Sequence, residues 1–169
     1  MTTIGFIGLG NMGGPMAANL VKAGFTVKGF DLVDALKDAA RETGVTIAGS
    51  GPEAVAGADI VVTMLPAGKH VVAVWEEILP SVTKGALLID CSTIDVESAR
   101  AAHAMAEKHG CLSLDAPVSG GVGGAQAATL TFMAGGAQDA FDKAAPVLAK
   151  MGRKSVHCGE AGAGQAAKI

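Results

Sequence analysis

A short apolar run enters a G-x-G-x-x-G turn within the first thirteen residues, and this feature limits the fold more than any other. The run covers residues 3–7, and the glycines are Gly8, Gly10 and Gly13. Gly8 permits a sharp turn out of a strand, and Gly13 permits close packing of the helix that follows. Gly10 leaves the backbone open to a bound group, because it carries no side chain. The pattern therefore predicts a strand, a tight turn and a helix in direct succession.

The residues after this turn complete a larger unit. Met12, Met16 and Leu20 fall on one helical stripe. A second apolar run, Phe25–Phe30, ends at Asp31. Strand, glycine turn, helix, strand and terminal acid are the parts of a dinucleotide site, in the required order and spacing. The first helical turn has unpaired N–H groups and a partial positive charge, so we expect it to face the pyrophosphate.

Asp31 also indicates which dinucleotide binds. Its carboxylate suits the hydroxyls of an adenosine ribose and repels a 2′-phosphate. The next residues are Leu32 and Val33, so no arginine directly follows Asp31 to accept such a phosphate. The sequence therefore predicts NAD rather than NADP as the cofactor. A simpler interpretation, in which Asp31 caps a helix over 34–41, fits the same residues, and both roles can coexist.

The rest of the chain continues the alternation of apolar strands and helical segments. This alternation predicts a Rossmann-type, doubly wound α/β fold with a mostly parallel sheet and an edge extension of mixed direction. The predicted strands cover 45–47, 58–65, 86–90, 112–118, 130–134 and 154–158, and the predicted helices cover 34–42, 69–79, 96–109 and 137–151. A linker at Gly120–Gly124 is disfavoured, because apolar runs lie on both sides. We expect one domain over 1–161 and the start of an interdomain helix over 162–169.

Composition and charge exclude several classes of partner. The net charge is −3 and no basic cluster is present, which argues against nucleic acid and anionic membranes. No apolar run approaches the ~20 residues of a membrane span. Cys91, Cys111 and Cys158 are scattered without metal-ligand spacing. They predict reduced thiols rather than a metal site, and with no targeting segment visible we expect a cytoplasmic protein.

Four loops are expected at the edge of the sheet where ligands bind, beyond the carboxyl ends of the strands. They cover residues 8–13, 65–70, 91–93 and 117–121. Because parallel strands end at one edge, these loops should converge on a single site.

Three of these loops carry groups that suit a cofactor or its substrate. Leu65 and Pro66 offer an apolar ledge for an adenine or nicotinamide ring, and Ser92 and Thr93 offer hydroxyls to a carboxamide or ribose. The stretch Ser119-Gly120-Gly121 presents a hydroxyl and exposed N–H groups, a suitable cradle for a carboxylate. His70 could contact NAD or simply begin a helix. Turn chemistry alone could also account for each loop.

Three separate motifs, in order along the chain, resemble the β-hydroxyacid dehydrogenase family. They are Gly8–Leu20, Asp115–Gly121 and Gly162–Lys168, supported by Phe30–Leu32 and Met64–Ala67. The resemblance covers essentially the whole chain.

The resemblance implies a reversible, NAD-linked oxidation of a short 3-hydroxy acid, of the 3-hydroxyisobutyrate type, to its semialdehyde. It implies that Lys168 is the catalytic acid and base, because hydride leaves the carbinol carbon only as the hydroxyl proton is removed. It also implies that Ser119, Gly120 and Gly121 hold the substrate carboxylate. The motif and the resemblance together assign the cofactor to Gly8, Gly10, Asn11, Met12, Gly13, Asp31, Leu65, Pro66, His70 and Thr93. Without the motif, Lys168 would be interpreted as a solvated lysine near the chain end.

Other activities remain open. A tartronate or succinic semialdehyde reductase of the same family fits the same motifs, and so does a non-catalytic NAD-binding module. A 6-phosphogluconate dehydrogenase conflicts with Asp31, because that family is mostly NADP-linked, and an imine reductase conflicts with Lys168. A covalent mechanism through Cys91 is conceivable, although a buried, inert thiol is favoured. His103, His109 and His157 are expected to be exposed or satisfied residues.

Members of the family that this chain resembles continue beyond the lysine with an all-helical second domain. That domain completes the active site and carries the subunit interface, so we expect a homo-oligomer when it is present. The 169-residue chain ends at Ile169, directly after Lys168. We therefore expect this polypeptide alone to bind NAD weakly and to have little or no dehydrogenase activity.

Overall fold

The computed structural model describes residues 2–169, and six parallel strands form the larger part of its sheet. In the sheet they are ordered β3-β2-β1-β4-β5-β6. Their bounds are β1 Thr3–Ile7, β2 Thr26–Phe30, β3 Thr46–Ile47, β4 Ile60–Thr63, β5 Leu87–Asp90 and β6 Leu112–Asp115. The chain builds outward from β1 to β3 and then crosses back to β4. Ligands bind in α/β sheets beyond such a switch point, which lies here between β1 and β4.

Three further strands extend the sheet and change its direction. They are β7 Val118–Ser119, β8 Leu130–Gly135 and β9 Gly152–Gly159. β8 is antiparallel to both β6 and β7, and it is parallel to β9. The predicted mixed extension is confirmed. Two details of the prediction were wrong. The strand expected over 112–118 is divided at Ala116-Pro117. The strand expected over 154–158 is longer, with eight residues, because it pairs along most of β8.

Helices cover both faces of the sheet, as expected for a doubly wound fold. They are α1 Gly13–Lys22, α2 Asp34–Glu42, α3 Gly51–Val55, α4 Gly68–Ile78, α5 Val96–Lys108, α6 Gly121–Ala127, α7 Gln138–Met151 and α8 Ala163–Lys168. Alternate residues of one strand serve the two faces: Leu87 and Ile89 pack with the core under α1 and α7, and Leu88 packs with the core under α4 and α5. A strand buried on both faces therefore has the continuous apolar sequence that predicted it.

Two short helices lie where the sequence predicted none. α3 begins after Ser50, whose Oγ accepts a hydrogen bond from the N–H of Glu53. α6 forms in the glycine-rich stretch, although glycine disfavours helices. Asn19 of α1 stabilises its end by donating from Nδ2 to the carbonyl oxygen of Ala125 at 2.7 Å, and Ala128 then ends it in the left-handed conformation with φ 58°. The stretch is thus part of the domain, in agreement with the rejection of a linker.

Candidate dinucleotide and substrate site

The three glycines of the first turn have different surroundings. Gly8 has φ +100°, and a Cβ there would lie 2.2 Å from the carbonyl oxygen of Met64. A Cβ at Gly13 would lie 1.9 Å from the carbonyl oxygen of Gly8. A Cβ at Gly10 would meet no atom within 4 Å. Gly8 and Gly13 are therefore required by the fold itself, whereas Gly10 borders open space at the surface of the turn.

The turn presents free donors to that open space. Within residues 2–169, the backbone N–H groups of Gly10, Asn11 and Met12 have no hydrogen-bond acceptor. They directly precede α1, whose N-terminal end carries a partial positive charge. Unpaired N–H groups beside a helix start fit an anionic diphosphate, so the residues present suit the phosphates of a dinucleotide.

Asp31 is tied to the glycine turn rather than to the helix that follows it. Its Oδ2 accepts from the N–H of Leu9 at 2.8 Å, and its Oδ1 accepts from the N–H of Val33 at 2.9 Å. The predicted role as a helix cap was wrong, because α2 begins after Val33 and no side chain caps it. Each carboxylate oxygen retains an unused lone pair, so Asp31 can still accept hydrogen bonds from ribose hydroxyls.

The surroundings of Asp31 offer little to a 2′-phosphate. Leu32, the next residue, is 88% exposed and apolar. The basic side chains of α2 already face acids one turn away. These pairs are Lys37 Nζ with Asp34 Oδ1 at 3.0 Å and Arg41 Nη1 with Asp38 Oδ1 at 2.7 Å. The charge distribution therefore suits an unphosphorylated ribose.

The loops after β4 and β5 are joined by Ser92. Its Oγ accepts from the N–H of Leu65 at 2.8 Å and donates to Asp90 Oδ1 at 2.6 Å. Ser92 is fully buried and its hydroxyl makes both of these bonds, so the expectation that this hydroxyl faces the cofactor was wrong. Pro66 and Thr93 are exposed beside the junction. His70 is exposed within the first turn of α4, a position compatible with both of its predicted roles. The structure thus brings Leu65, Pro66 and Thr93 to one edge of the sheet.

Beneath this junction lies a buried carboxyl group. Asp90 Oδ1 accepts from Thr63 Oγ1 at 2.8 Å, and within the described chain Asp90 Oδ2 has no hydrogen-bond partner. Burial raises the pKa of Asp90 to about 6. The hydrogen bonds from Ser92 and Thr63 act to lower this pKa, and the charge of Asp115 acts to raise it. The carboxyl is therefore expected to take up a proton near pH 6, about two pH units above an ordinary aspartate.

The neighbouring thiol is unsuited to covalent chemistry. Cys91 is fully buried, and burial raises the pKa of its thiol well above the usual range, with a further contribution from Asp90. A thiol that stays protonated is a poor nucleophile. The interpretation of Cys91 as an inert core residue is therefore favoured.

The end of the chain folds back onto the loop after β6. Lys168 Nζ donates to the carbonyl oxygen of Val118 at 2.7 Å. The next residues are Ser119, which is exposed, and Gly120 and Gly121, which have φ of +134° and +64°. Those backbone angles are ones that side-chain-bearing residues rarely adopt. The structure thus brings Lys168 to the predicted carboxylate cradle.

A set of polar residues, to which the sequence analysis assigned no role, holds α8 in this position. Asp115 accepts from the N–H of Gly162 through Oδ1 at 2.9 Å and from the N–H of Gln165 through Oδ2 at 3.0 Å. His103 Nε2 lies 2.8 Å from Asp115 Oδ1. The sequence signals were that Asp115 opens the Asp115–Gly121 motif and that Gln165 is a polar residue within the glycine and alanine run of the Gly162–Lys168 motif.

The remaining histidines are satisfied by local contacts. His109 Nδ1 lies 3.1 Å from the carbonyl oxygen of Met105. His157 stacks on Phe141 with ring centroids 4.9 Å apart, and its Nε2 lies 2.7 Å from the carbonyl oxygen of Gly136. Across residues 2–169 no group of three or more His, Cys, Asp or Glu could hold a metal ion. Over the same residues, no helix has both the length and the apolar character needed to cross a membrane.

Comparisons with known proteins agree with this arrangement. A family model described as the NAD binding domain of 6-phosphogluconate dehydrogenase matches residues 3–159. A probable 3-hydroxyisobutyrate dehydrogenase of Mycobacterium tuberculosis is 56% identical over the whole chain, and an NAD-dependent L-serine dehydrogenase of Pseudomonas aeruginosa is 49% identical. The chain spans 58% of the length of each.

A solved structure has the same fold as this chain. It is described as Mycobacterium tuberculosis 3-hydroxyisobutyrate dehydrogenase with L-serine, and it matches with a TM-score of 0.98 at 56% identity. The match covers 99% of this chain and 58% of the solved one. The predicted Rossmann-type fold and the predicted NAD-binding domain are confirmed.

Proposed function

This chain belongs to the family of the NAD binding domain of 6-phosphogluconate dehydrogenase, and from that premise we propose that it is the cofactor-binding part of an NAD-dependent 3-hydroxyacid dehydrogenase. The proposed reaction oxidises a short acid of the 3-hydroxyisobutyrate type to its semialdehyde. One observation carries the proposal: Lys168 Nζ lies 2.7 Å from the carbonyl oxygen directly before Ser119. A proton-transfer group beside a carboxylate cradle is what oxidation of a hydroxy acid requires.

We propose that the free N–H groups of Gly10, Asn11 and Met12 bind the pyrophosphate of NAD, and that Asp31 binds the adenosine ribose. Gly8 and Gly13 shape the turn. Leu65 and Pro66 would line the adenosine portion, His70 would lie near its edge, and Thr93 would lie near the nicotinamide. When bound, NAD supplies the acceptor for the hydride that leaves the substrate.

The protein's own residues supply the remaining chemistry. The Ser119 hydroxyl and the N–H groups of Gly120 and Gly121 hold the substrate carboxylate. With the acid held there, its hydroxyl lies toward Lys168, whose neutral amine removes the hydroxyl proton as the carbonyl forms. In the opposite direction the Lys168 ammonium returns that proton and polarises the carbonyl.

L-serine is a second candidate substrate, because one relative is named an L-serine dehydrogenase and one solved relative is described with L-serine. L-serine is also a 3-hydroxy acid, so it would use the same cradle and the same lysine. Reduction of tartronate or succinic semialdehyde, and NAD binding without catalysis, are further functions that the sequence motifs allow. The chain spans 58% of its relatives' length, so each of these activities is a proposal for a larger protein.

The proposal extends to organisation and compartment. We propose that 1–161 is the dinucleotide-binding domain, that 162–169 begins an interdomain helix, and that the complete enzyme is a homo-oligomer. Cys91, Cys111 and Cys158 are all free thiols, which supports a reducing, cytoplasmic compartment.

Two measurements test the function. The first is a fluorescence titration of this chain with NADH, in which saturable binding is expected. The second joins this chain to the C-terminal part of the 56% identical relative and measures NADH formation from 3-hydroxyisobutyrate and from L-serine. NAD-dependent turnover of either acid is expected for this joined protein. A folded chain that binds no NADH would refute the proposal, and NADH binding without turnover of any 3-hydroxy acid would favour the non-catalytic module.

A further inference from the structure

Gln165 is a buried polar side chain to which neither the glycine motif nor the lysine chemistry assigns a task. It is 1% exposed. Its Oε1 accepts from the N–H of Ile94 at 3.1 Å, and its Nε2 donates to the carbonyl oxygen of Ser92 at 2.7 Å. These two backbone groups lie on either side of Thr93. A single carboxamide therefore fixes the loop that presents Thr93.

The chemistry of these two bonds is specific to a carboxamide. One end of the side chain faces a donor and the other end faces an acceptor, so both ends are satisfied only by a group with both properties. An apolar residue of similar volume would leave the N–H of Ile94 and the carbonyl of Ser92 unpaired in buried surroundings. A carboxylate would place negative charge against the carbonyl oxygen of Ser92. A residue selected only to fill the core would be apolar.

The backbone of Gln165 is fixed as firmly as its side chain. α8 has six residues, and so short a helix is marginal without external contacts. Asp115 supplies them through its bonds to the N–H groups of Gly162 and Gln165. The helix also lies directly against β8, because a Cβ at Gly164 would lie 2.2 Å from the carbonyl oxygen of Met133.

Lys168 follows Gln165 by three residues, so the two side chains lie on neighbouring positions of one helical turn. Gln165 connects α8 to the loop after β5, and Lys168 connects the same helix to the loop after β6 through Val118. The six-residue helix is therefore a short bridge between the loop of Thr93 and the loop of Ser119.

We propose that Gln165 is a positioning residue that sets the separation between Thr93 and Lys168. The inference rests on the proposed function, in which Thr93 lies beside the nicotinamide and Lys168 transfers the proton. Hydride and proton leave one carbinol carbon and its oxygen in the same reaction, so both groups must hold their places at once. Misplacement by about 1 Å is enough to lower a rate by roughly a hundredfold.

Gln165→Met in this chain tests the connection without any need for turnover. Amide hydrogen exchange and ¹⁵N relaxation are measured by NMR. The N–H of Ile94 is expected to exchange about tenfold faster, and the amides of Thr93 and Lys168 are expected to gain mobility. Gln138→Met, at an exposed position on α7, is the matched control and should change none of the three. Unchanged exchange at Ile94 and unchanged mobility at Thr93 and Lys168 in Gln165→Met would overturn the proposal.

Gln165→Glu provides a second variant of the same length. It keeps an acceptor for the N–H of Ile94 but loses the donor to the carbonyl of Ser92. Protection of Ile94 is expected to survive in part, while Thr93 still gains mobility. If Gln165→Met does not fold, this variant decides the question. A Thr93 loop as rigid as in the unsubstituted chain would count against the proposal.

Kinetics of the joined protein provide an independent readout. Gln165→Met is expected to lower kcat by about ten- to a hundredfold while KM for NAD changes by less than about twofold. Val147→Ala, a buried truncation on α7 outside the proposed binding loops, is expected to lower stability and to leave kcat unchanged. Equal kcat in the two variants would overturn the proposal. If the unsubstituted chain binds no NADH, the proposed function fails by itself, and the exchange measurements still decide whether Gln165 couples the two loops.

Discussion

Lys168 Nζ donates a hydrogen bond of 2.7 Å to the carbonyl oxygen of Val118, fifty residues earlier in the chain. The contact brings the last turn of α8 against the start of the Ser119-Gly120-Gly121 loop. A lysine ammonium has three donors, so two remain for a ligand once the bond to Val118 is made. A substrate acid held by the loop would therefore meet a group able to exchange its hydroxyl proton.

Replacing Lys168 should separate catalysis from cofactor binding. In the joined protein, Lys168→Met removes the proton-transfer group, and kcat is expected to fall by about 10²–10⁴-fold. NADH affinity of the same variant, measured by fluorescence, should stay within about twofold, because the phosphate-binding turn is unchanged. Lys150→Met, at an exposed position on α7, is the control and should retain full activity. Turnover unaffected by Lys168→Met would remove the lysine from the mechanism.

Asp31→Asn should relax the choice between NAD and NADP. The substitution removes the negative charge that repels a 2′-phosphate but keeps an acceptor for the N–H of Leu9. The ratio of the NADP and NAD dissociation constants is expected to fall about tenfold, as for the loss of one charged interaction. Asp142→Asn, at an exposed position on α7 and outside the nucleotide turn, is the control and should leave the ratio unchanged. An unaltered ratio in Asp31→Asn would mean that the carboxylate only ties the turn together.

Alanine at two glycines of the same turn should affect different properties: stability at Gly13 and NADH affinity at Gly10. A Cβ at Gly13 would overlap the carbonyl oxygen of Gly8, so Gly13→Ala is expected to lower the free energy of unfolding by about 1–3 kcal/mol. A Cβ at Gly10 meets no atom within 4 Å, so Gly10→Ala should keep its stability and lose about tenfold or more in NADH affinity. Thermal unfolding and NADH titration measure the two effects. Normal NADH binding by Gly10→Ala would argue against a phosphate at this turn.

Asp90 should make the stability of the folded chain depend on pH in a defined direction. Its pKa is about 6 in the folded protein against 3.8 for an ordinary aspartate, so the folded state binds this proton more tightly than the unfolded state. The contribution is favourable below about pH 4 and is lost as the pH rises through about 6. It amounts to about 3 kcal/mol at most, because one pKa unit corresponds to about 1.4 kcal/mol.

Asp90→Asn tests this dependence. The variant cannot titrate at position 90, so its stability relative to the unsubstituted chain should rise between about pH 4 and about pH 7. Urea unfolding at several pH values measures the difference. Asp142→Asn, exposed on α7, should follow the unsubstituted chain at every pH. A constant difference for Asp90→Asn would show that this carboxyl titrates normally.

The parallel half of the sheet could be predicted because its signals are local. The turn at Gly8–Gly13 needs particular backbone geometry, and buried strands such as β5 are continuous apolar runs. α6 could not be predicted, because its glycines disfavour a helix and the stabilising contact comes from Asn19, more than a hundred residues away. Local propensity was overridden there by a tertiary contact.

The same reason explains which part of the candidate site was predictable. The glycine turn, Asp31 and Lys168 belong to motifs with a fixed spacing. Asp115 and Gln165 also lie within the quoted motifs, but their roles could not be predicted, because those roles depend on contacts that span about fifty to seventy residues. His103 was correctly expected to be satisfied, but its partner Asp115 could not be identified without the fold.

The change of strand direction after β6 separates two tasks along the chain. In the proposed function, the parallel strands carry the nucleotide, while everything after Asp115 carries the carboxylate cradle and Lys168. A recombinant that took this latter portion from a relative acting on another acid would inherit that relative's preference and keep the nucleotide specificity of the recipient. The exchanged portion would have to retain Gln165, because its carboxamide connects the two halves through the backbone of Ser92 and Ile94.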